Sequence, residues 1–532
     1  MTPLAPFTHP SLDLRDVMRA LGSAGVAFRP AAAMRRTQLD TADERLRDAG
    51  LRLEAQDGAE HMLVLTGGGA VDARLAVPPA GVPRFLGDLP AGPFRARLAP
   101  VIEVRALLPR AAIDASRTVG EQRNREGKVV VRVVIDDQLA ATETQTEPTT
   151  ENTTKTETAA RAGGLVPRWT VVVEELTGYA AAAHRTRELL EALGLTAAAP
   201  DPLAALAAKA PKAHTSSPTI PLDARARAGD GYRLVFHNLL DAIDANVAGT
   251  IDDIDPEFLH DFRVAVRRTR SVLKKAKHVI AEPVRERYRA EFGWLAGATS
   301  AARDLDVYVT EWDSYVAPLA EDARGALTPV LDYLRKHRAK AHKELNAALR
   351  SRRYGALLRD WRRTLDDAEE FDGRDADARL GKVVAKQIQR AQDQVLDQGR
   401  AITDASPGTD LHELRKDAKL LRYLIECFGG MYPAAARKPF VKELKALQDN
   451  LGSLQDAEVH IAELRDASEA LGAKGTPPST LLAMGQLTEH LERRRAEARA
   501  EFADRFARYD TKETRRALKA LLAAASASPE KA

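Results

Sequence analysis

A chain of 532 residues is too long for one hydrophobic core, so two or three domains are expected. Apolar residues make up 44% and charged residues 29%, and a formal net charge of +3 excludes a whole-chain polycation, so any basic site must arise by local segregation. One cysteine excludes an internal disulfide framework and a cysteine-rich metal centre, and no apolar run approaches the ~20 residues needed to span a bilayer.

The opening MTPLAPFTHPSLDLRDV has neither the basic flank nor the apolar core of a signal peptide, which points to a cytoplasmic protein with no membrane partner. Over 1–198, short β-branched runs bounded by turn residues predict strands at MLVLTGGG, VIEVRALL, KVVVRVVIDD and WTVVVEEL. TADERLRDAG and AAAHRTRELLEALG read as helices, the second closed by Gly194. A Thr/Glu-rich tract at about 140–164 has almost nothing to bury and reads as a disordered insert. The Ala/Pro-rich stretch 199–222 reads as a linker holding one short helix. Residues 223–524 are helical by pattern, with Gly and Pro gathered at breaks such as DIDPE, ASPGTD, FGGMYP and AKGTPPS, and 525–532 form a tail. Cys427, inside LRYLIECFGG, reads as a core residue rather than a nucleophile.

The helical half repeats. LHDFRVAVRRTR from Leu259 returns as LHELRKDAKLLR from Leu411, an offset of 152. The register pairs His260 with His412, Arg263 with Arg415, Arg267 with Lys419 and Arg270 with Arg422. Apolar positions follow the same offset, Leu259 with Leu411, Phe262 with Leu414, Val266 with Ala418 and Leu273 with Ile425. Downstream, LAGATSAARDLDV faces LQDNLGSLQDAEV and pairs Asp304 with Asp456. Two copies of one helical unit, about 223–375 and 376–524, are therefore expected.

Steps of three and four keep residues on one helix face, so His260 to Arg270 forms a basic stripe about 15 Å long beside an apolar one. Lys274 extends it in the first copy, whereas Glu426 stands there in the second. Basic residues at helical spacing are ordinarily a solvated face with weak i±4 pairs. Asp261, Glu413 and Asp417 are nearby in sequence, but none lies on the stripe. Recurrence of four basic positions in one phase favours a site instead. Rows of guanidinium and ammonium groups suit a linear polyanion. No Walker A pattern is present and stacking aromatics are nearly absent, which disfavours nucleotides and single-stranded nucleic acid. Duplex DNA stays open on charge alone. Asp304 and Asp306 in ARDLDV read as capping or arginine-paired acids rather than a metal pair, and His337 and His342 are off zinc spacing.

The doubled LHxxR motif, continuing to RRTR and KLLRY with ARDLDV and LGSLQDAEV downstream, resembles the CHAD domain, the conserved histidine α-helical domain. The resemblance implies an internally two-fold helical domain that binds inorganic polyphosphate in a basic groove and collects at polyphosphate granules. His260, Arg263, Arg267, Arg270, His412, Arg415, Lys419 and Arg422 stand at the motif positions, and Lys274 and Lys445 complete the candidate polyphosphate-binding set.

QLDTADERLRDAGLRLEAQDGAEHMLVLTGGG and the later strands resemble a CYTH domain, the triphosphate tunnel fold. That resemblance implies a metal-binding ExExK signature in the first strand, yet TPLAPFTHPSLDL has no Glu or Lys, and Gly67 stands where a lysine is expected. No other carboxylate row is obvious. Arg52, Arg105, Arg110 and Arg132 are candidate tunnel cations, and Glu103, Asp136, Glu174 and Glu175 candidate residual acids. The expectation is a degenerate, non-catalytic CYTH-like domain with no resident cofactor. The sequence thus predicts a multidomain α and α+β protein: an N-terminal antiparallel β tunnel followed by an all-α domain with an internal two-fold repeat. The alternatives are a metal-dependent triphosphatase or polyphosphatase acting in the tunnel, and a nucleic-acid-binding or scaffold protein.

Overall fold

The computed structural model describes residues 6–58, 60–67, 70–78, 81–143, 169–197, 201–209, 220–473 and 475–524. The predicted insert beyond Glu143, half of the predicted linker and the tail lie outside them. The chain forms two compact units, Met1–Ala213 and His214–Ala532.

In the first unit an antiparallel, curled sheet is built from β1 (Phe7–Thr8), β2 (Val26–Phe28), β3 (Ala32–Asp40), β4 (Leu51–Asp57), β5 (His61–Gly67), β6 (Ala70–Ala76), β7 (Leu108–Arg123), β8 (Val129–Glu143), β9 (Trp169–Glu175) and β10 (Thr196–Ala197). Its order is β10-β1-β9-β8-β7-β3-β4-β5-β6, with β2 on β7. Helices α1 (Leu14–Ser23), α2 (Arg45–Asp48), α3 (Pro93–Ile102), α4 (Ala180–Ala192) and α5 (Pro202–Ala207) complete the unit.

Strand periodicity sorts the side chains to two faces. On β8, Val131, Val133 and Ile135 join Val171 and Val173 of β9 in a core shared with α1 and α4. On β4 and β5, Leu53, Ala55, Leu63 and Leu65 pack against Phe94, Leu98 and Ile102 of α3. The alternate residues Arg52, Glu54, Val134 and Asp136 line the concave face.

Two sequence readings are corrected here. VIEVRALL, predicted as a strand, is the end of α3 and a turn through Glu103 at φ 50. Phe94, Leu98 and Ile102 recur every four residues and are buried, and this helical period outweighs the β propensity of Val101 and Ile102. The short helix assigned to the linker is α5, and it belongs to the first unit, where Leu203, Leu206 and Ala207 pack on Ala111 and Ile113 of β7.

The second unit contains, among the described residues, α6 (Ala228–Ile251), α7 (Pro256–Lys275), α8 (Glu282–Ala298), α9 (Ser300–Thr310), α10 (Trp312–Val316), α11 (Glu321–Ala326), α12 (Thr328–Leu349), α13 (Arg352–Asp366), α14 (Leu380–Ala401), α15 (Gly408–Cys427), α16 (Ala434–Gly472), α17 (Pro478–Tyr509) and α18 (Lys512–Ala524). The repeat is visible in the helix starts. α14, α15 and α16 begin 152 residues after α6, α7 and α8, and α7 and α15 each have 20 residues. α8 and α9, interrupted at Thr299, correspond to the continuous α16. One large core unites both copies, and a second, holding Tyr308, Trp312, Tyr315 and Leu464, lies between α9, α10, α16 and α17.

Candidate functional site

α7 begins where Asp255 accepts hydrogen bonds from the Glu257 and Phe258 N–H groups, with Pro256 in the first turn and Lys274 and Lys275 in the last. Leu259, Phe262, Val266 and Leu273 are buried, as are their mates Leu411, Leu414, Ala418 and Ile425 on α15. The basic stripes therefore emerge at the margin of the core.

The two helices run in opposite senses. Arg268 on α7 pairs at 2.5 Å with Glu426 near the end of α15 and lies over the Tyr423 ring, whereas Lys275 at the end of α7 lies near Asp417. The 152-residue offset maps Arg267 onto Lys419, and these two are neighbours, so the pseudo-two-fold axis passes between them. The first-copy and second-copy stripes thereby join into one seam.

Four half-buried cations converge on that axis: Arg263, Arg267, Arg415 and Lys419. Arg263 Nη1 donates to the Thr299 and Ser300 hydroxyls, each at 2.9 Å, which anchors it to the α8–α9 junction. Arg415 Nη2 lies 3.3 Å from Asp456. Among the described residues Arg267 and Lys419 make no ion pair. Burial lowers the pKa of Arg263 and of Arg415, and Arg267 pushes both the same way. Burial brings Lys419 down to about 7, with Arg415 and Arg267 adding to it. The nearby acids are Asp304 of α9, raised by burial against the pull of Arg263, Arg267 and Arg303, and Asp456 of α16. Four crowded cations against two carboxylates leave a surplus of positive charge.

Other candidates are placed less centrally. Arg270 and Lys274 are exposed and continue the line along α7, while His260 is half-buried near its start. His412 is exposed, its Nδ1 hydrogen-bonded to Gln455. Arg422 is committed elsewhere: its Nε donates to Glu426 at 2.6 Å and its Nη1 to Gln448 at 3.1 Å. Lys445 is exposed on α16, one turn before Gln448. Arg303 and Arg268 were not singled out by sequence. Arg303 sits in the ARDLDV motif itself, a signal that could have found it, whereas Arg268 lies off the stripe and became relevant only through Glu426.

Asp306 pairs with Arg338 at 2.6 Å and with His342 at 2.8 Å, the arginine-paired role favoured from sequence. His337 instead bonds the Tyr333 carbonyl of its own helix. Cys427 has its thiol pushed up to about 12 by burial, so it is inert at neutral pH. No group of three His, Cys, Asp or Glu able to hold a metal occurs among the described residues, and no described helix is long and apolar enough to cross a membrane.

The concave face of the first unit encloses a cavity of about 600 Å³. Here the absence of a carboxylate row is corrected: Asp40, Glu44, Glu54, Asp136, Glu174 and Asp201 all line it. They come from separate strands, from the turn before α2 and from the residue that caps α5, so they are adjacent only after folding. Of the sequence candidates, Arg52, Arg110, Asp136 and Glu174 line the cavity. Arg105 is instead buried beside Asp43 and Arg132 bonds Glu174, while Glu103 pairs with Arg45 and Glu175 with Arg187.

The CYTH resemblance implies a divalent cation on such acids, and these residues do not fit one. Arg36 donates to both oxygens of Glu54, at 2.7 and 2.8 Å. Burial pushes the Glu54 carboxyl up, but Arg36 overrides this and holds it at about 2. Arg117 clamps Asp136 at 2.7 and 2.9 Å, Arg110 reaches Glu44 at 3.2 Å and Arg74 reaches Glu174 at 2.9 Å. Asp40 accepts from the backbone N–H groups of Thr41, Leu46 and Arg47. Each carboxylate already has a donor.

The family model of the CHAD domain matches residues 234–465. The crystal structure of the CHAD domain from the plant Ricinus communis is similar at 26% identity and TM-score 0.44, over 57% of this chain and 96% of that one. PptA from Streptomyces chartreusis is similar at 18% identity and TM-score 0.44, over 53% and 100%. No curated protein matches the chain. The antiparallel curled sheet of the first unit is consistent with a CYTH-like tunnel, and residues 234–465 of the second unit are a CHAD domain.

Proposed function

We propose that the helical unit binds inorganic polyphosphate along the α7–α15 seam, and that the protein is a polyphosphate-binding rather than a polyphosphate-cleaving one, brought to polyphosphate granules by this contact. The observation that carries the proposal is the crowding of Arg263, Arg267, Arg415 and Lys419 at the pseudo-two-fold axis, with Lys419 forced down to about 7. A fold keeps such crowded cations when an anion offsets the repulsion. Arg270 and Lys274 give a long ligand a path beyond the axis, and Arg303 and His260 widen the positive margin. Arg422 contributes through its hold on Glu426, not as a direct contact. The first unit acts as a non-catalytic companion, because its acids are neutralised by arginines.

The test is a titration of the full chain with polyphosphates of graded length. Replacing His260, Arg263, Arg415 and Lys419 together by alanine is expected to abolish binding while circular dichroism stays unchanged. Retained affinity in that folded variant would place the ligand elsewhere.

A further inference from the structure

Inside the first unit, six arginines face six carboxylates across the cavity: Arg36, Arg47, Arg52, Arg74, Arg110 and Arg117 against the acids described above. Five of those acids belong to the sheet or to the turn before α2. The sixth, Asp201, comes from α5. Its Oδ2 accepts from Arg36 Nη2 and Arg52 Nη1, both at 2.8 Å, while its Oδ1 caps α5 by accepting from the Leu203 N–H at 3.1 Å.

α5 has a slender seat. Its apolar contacts form a separate cluster of five buried residues, Leu203, Leu206 and Ala207 on Ala111 and Ile113, apart from the two larger cores of the unit. Ala204, Ala207 and Ala208 also border the cavity, so the helix forms part of its wall. Without α5 the cavity would carry six arginines against five acids, a surplus of one positive charge, with Arg52 the cation left without its described ion-pair partner.

We propose that α5 is a displaceable strap whose Asp201 carboxylate mimics the ligand of this cavity, a small organic monocarboxylate with an apolar body. Charge selects the class. One carboxylate restores neutrality in a partly buried cavity, whereas a triphosphate would leave several uncompensated charges beside Glu54, Asp136 and Glu174, at a steep cost in low dielectric. Leu51, Val64, Val134 and Val172 supply apolar wall for the body of the ligand, and the guanidinium pair of Arg36 and Arg52 supplies the fork for its carboxylate. Binding requires no metal and is autoinhibited by the strap.

Benzoate is the probe, and hydrogen–deuterium exchange on the full chain reads α5 separately from the helical unit. Millimolar benzoate is expected to raise exchange of the α5 amides about fivefold as the strap is displaced. Asp201→Asn keeps a capping oxygen for Leu203 but removes the competing charge, and is expected to bind benzoate about tenfold tighter by calorimetry. Arg52→Gln in that background removes the gain. Leu203→Ala loosens the apolar seat without touching any charge and shifts affinity in the same direction, so the proposal stays exposed should Asp201→Asn fold poorly. Inorganic phosphate and tripolyphosphate form the contrasting arms. Displacement of α5 by these and not by benzoate overturns the carboxylate assignment, and unchanged α5 exchange with every anion overturns the strap. None of these outcomes depends on polyphosphate binding by the helical unit.

Discussion

Lys419→Met separates a strained binding cation from an ordinary surface lysine. Methionine keeps the unbranched stem beside Arg415 and Arg267 and removes only the charge. A lysine brought from its ordinary 10.5 down to about 7 carries a charging cost of about 5 kcal/mol. Half-burial and solvent screening discount this to about 1–3 kcal/mol. The variant is therefore expected to be more stable than the parent by that amount in urea unfolding at about pH 6.5, with a rise of a few degrees in Tm. The sign follows from linkage. The folded pKa lies below the unfolded one, so protonation of Lys419 favours unfolding; the penalty is fully present below pH 7 and fades as the pH climbs from 7 towards 10.5. The gain in stability should accordingly shrink at about pH 10. The same variant is expected to bind long-chain polyphosphate about tenfold more weakly, with a salt slope reduced by about one. Lower stability than the parent at about pH 6.5 would refute the strain, and unchanged polyphosphate affinity would refute the seam as the binding site.

Polyphosphate affinity of the parent is expected to be highest below pH 7 and to fall by about tenfold in all as Lys419 deprotonates above pH 7; calorimetry in two buffers of different ionisation heat reads the proton uptake, which Lys419→Met abolishes. Glu426→Gln is expected to destabilise the helical unit by about 2–4 kcal/mol in urea unfolding, because buried Arg268 and half-buried Arg422 both lose their carboxylate partner. Tripolyphosphate incubated with Mg²⁺ or Mn²⁺ is expected to release no phosphate in a colorimetric assay; turnover would overturn the non-catalytic reading of the first unit.

The parts of this architecture legible in the sequence are those set by local period. The stripes of α7 and α15 follow from steps of three and four, and their shared phase follows from an offset read directly from the motif. VIEVRALL failed because Val101 and Ile102 carry β propensity while the deciding pattern, Phe94 to Leu98 to Ile102, begins outside the window. The acids of the cavity were missed for a different reason. Glu54 sits beside Arg52 on one strand, but its partner Arg36 comes from β3 and Asp201 from α5, and only sheet register brings them together. Arg422 looked equivalent to Arg270 because the repeat makes them so. Glu426, standing where the first copy has Lys274, turns the second-copy arginine inward to an ion pair.

The internal symmetry bears on which polyanion the seam suits. Because Arg267 and Lys419 straddle the axis while Arg263 and Arg415 are exchanged by it, a ligand lying across the seam meets nearly the same cations in either direction. A nucleic acid strand has distinct ends and a sugar-base side, so a two-fold seam would hold one half in register and misplace the other. A linear phosphate chain reads the same from both ends and matches both halves at once. The residues that break the symmetry sit at the far ends, Lys274 at one and Glu426 at the other, where they leave the central match intact and bias a long chain to extend past α7. The expected result is that polyphosphate displaces single-stranded DNA from the protein at equal phosphate concentration and salt. Equal competition by DNA would remove symmetry as the basis of selection and leave net charge alone.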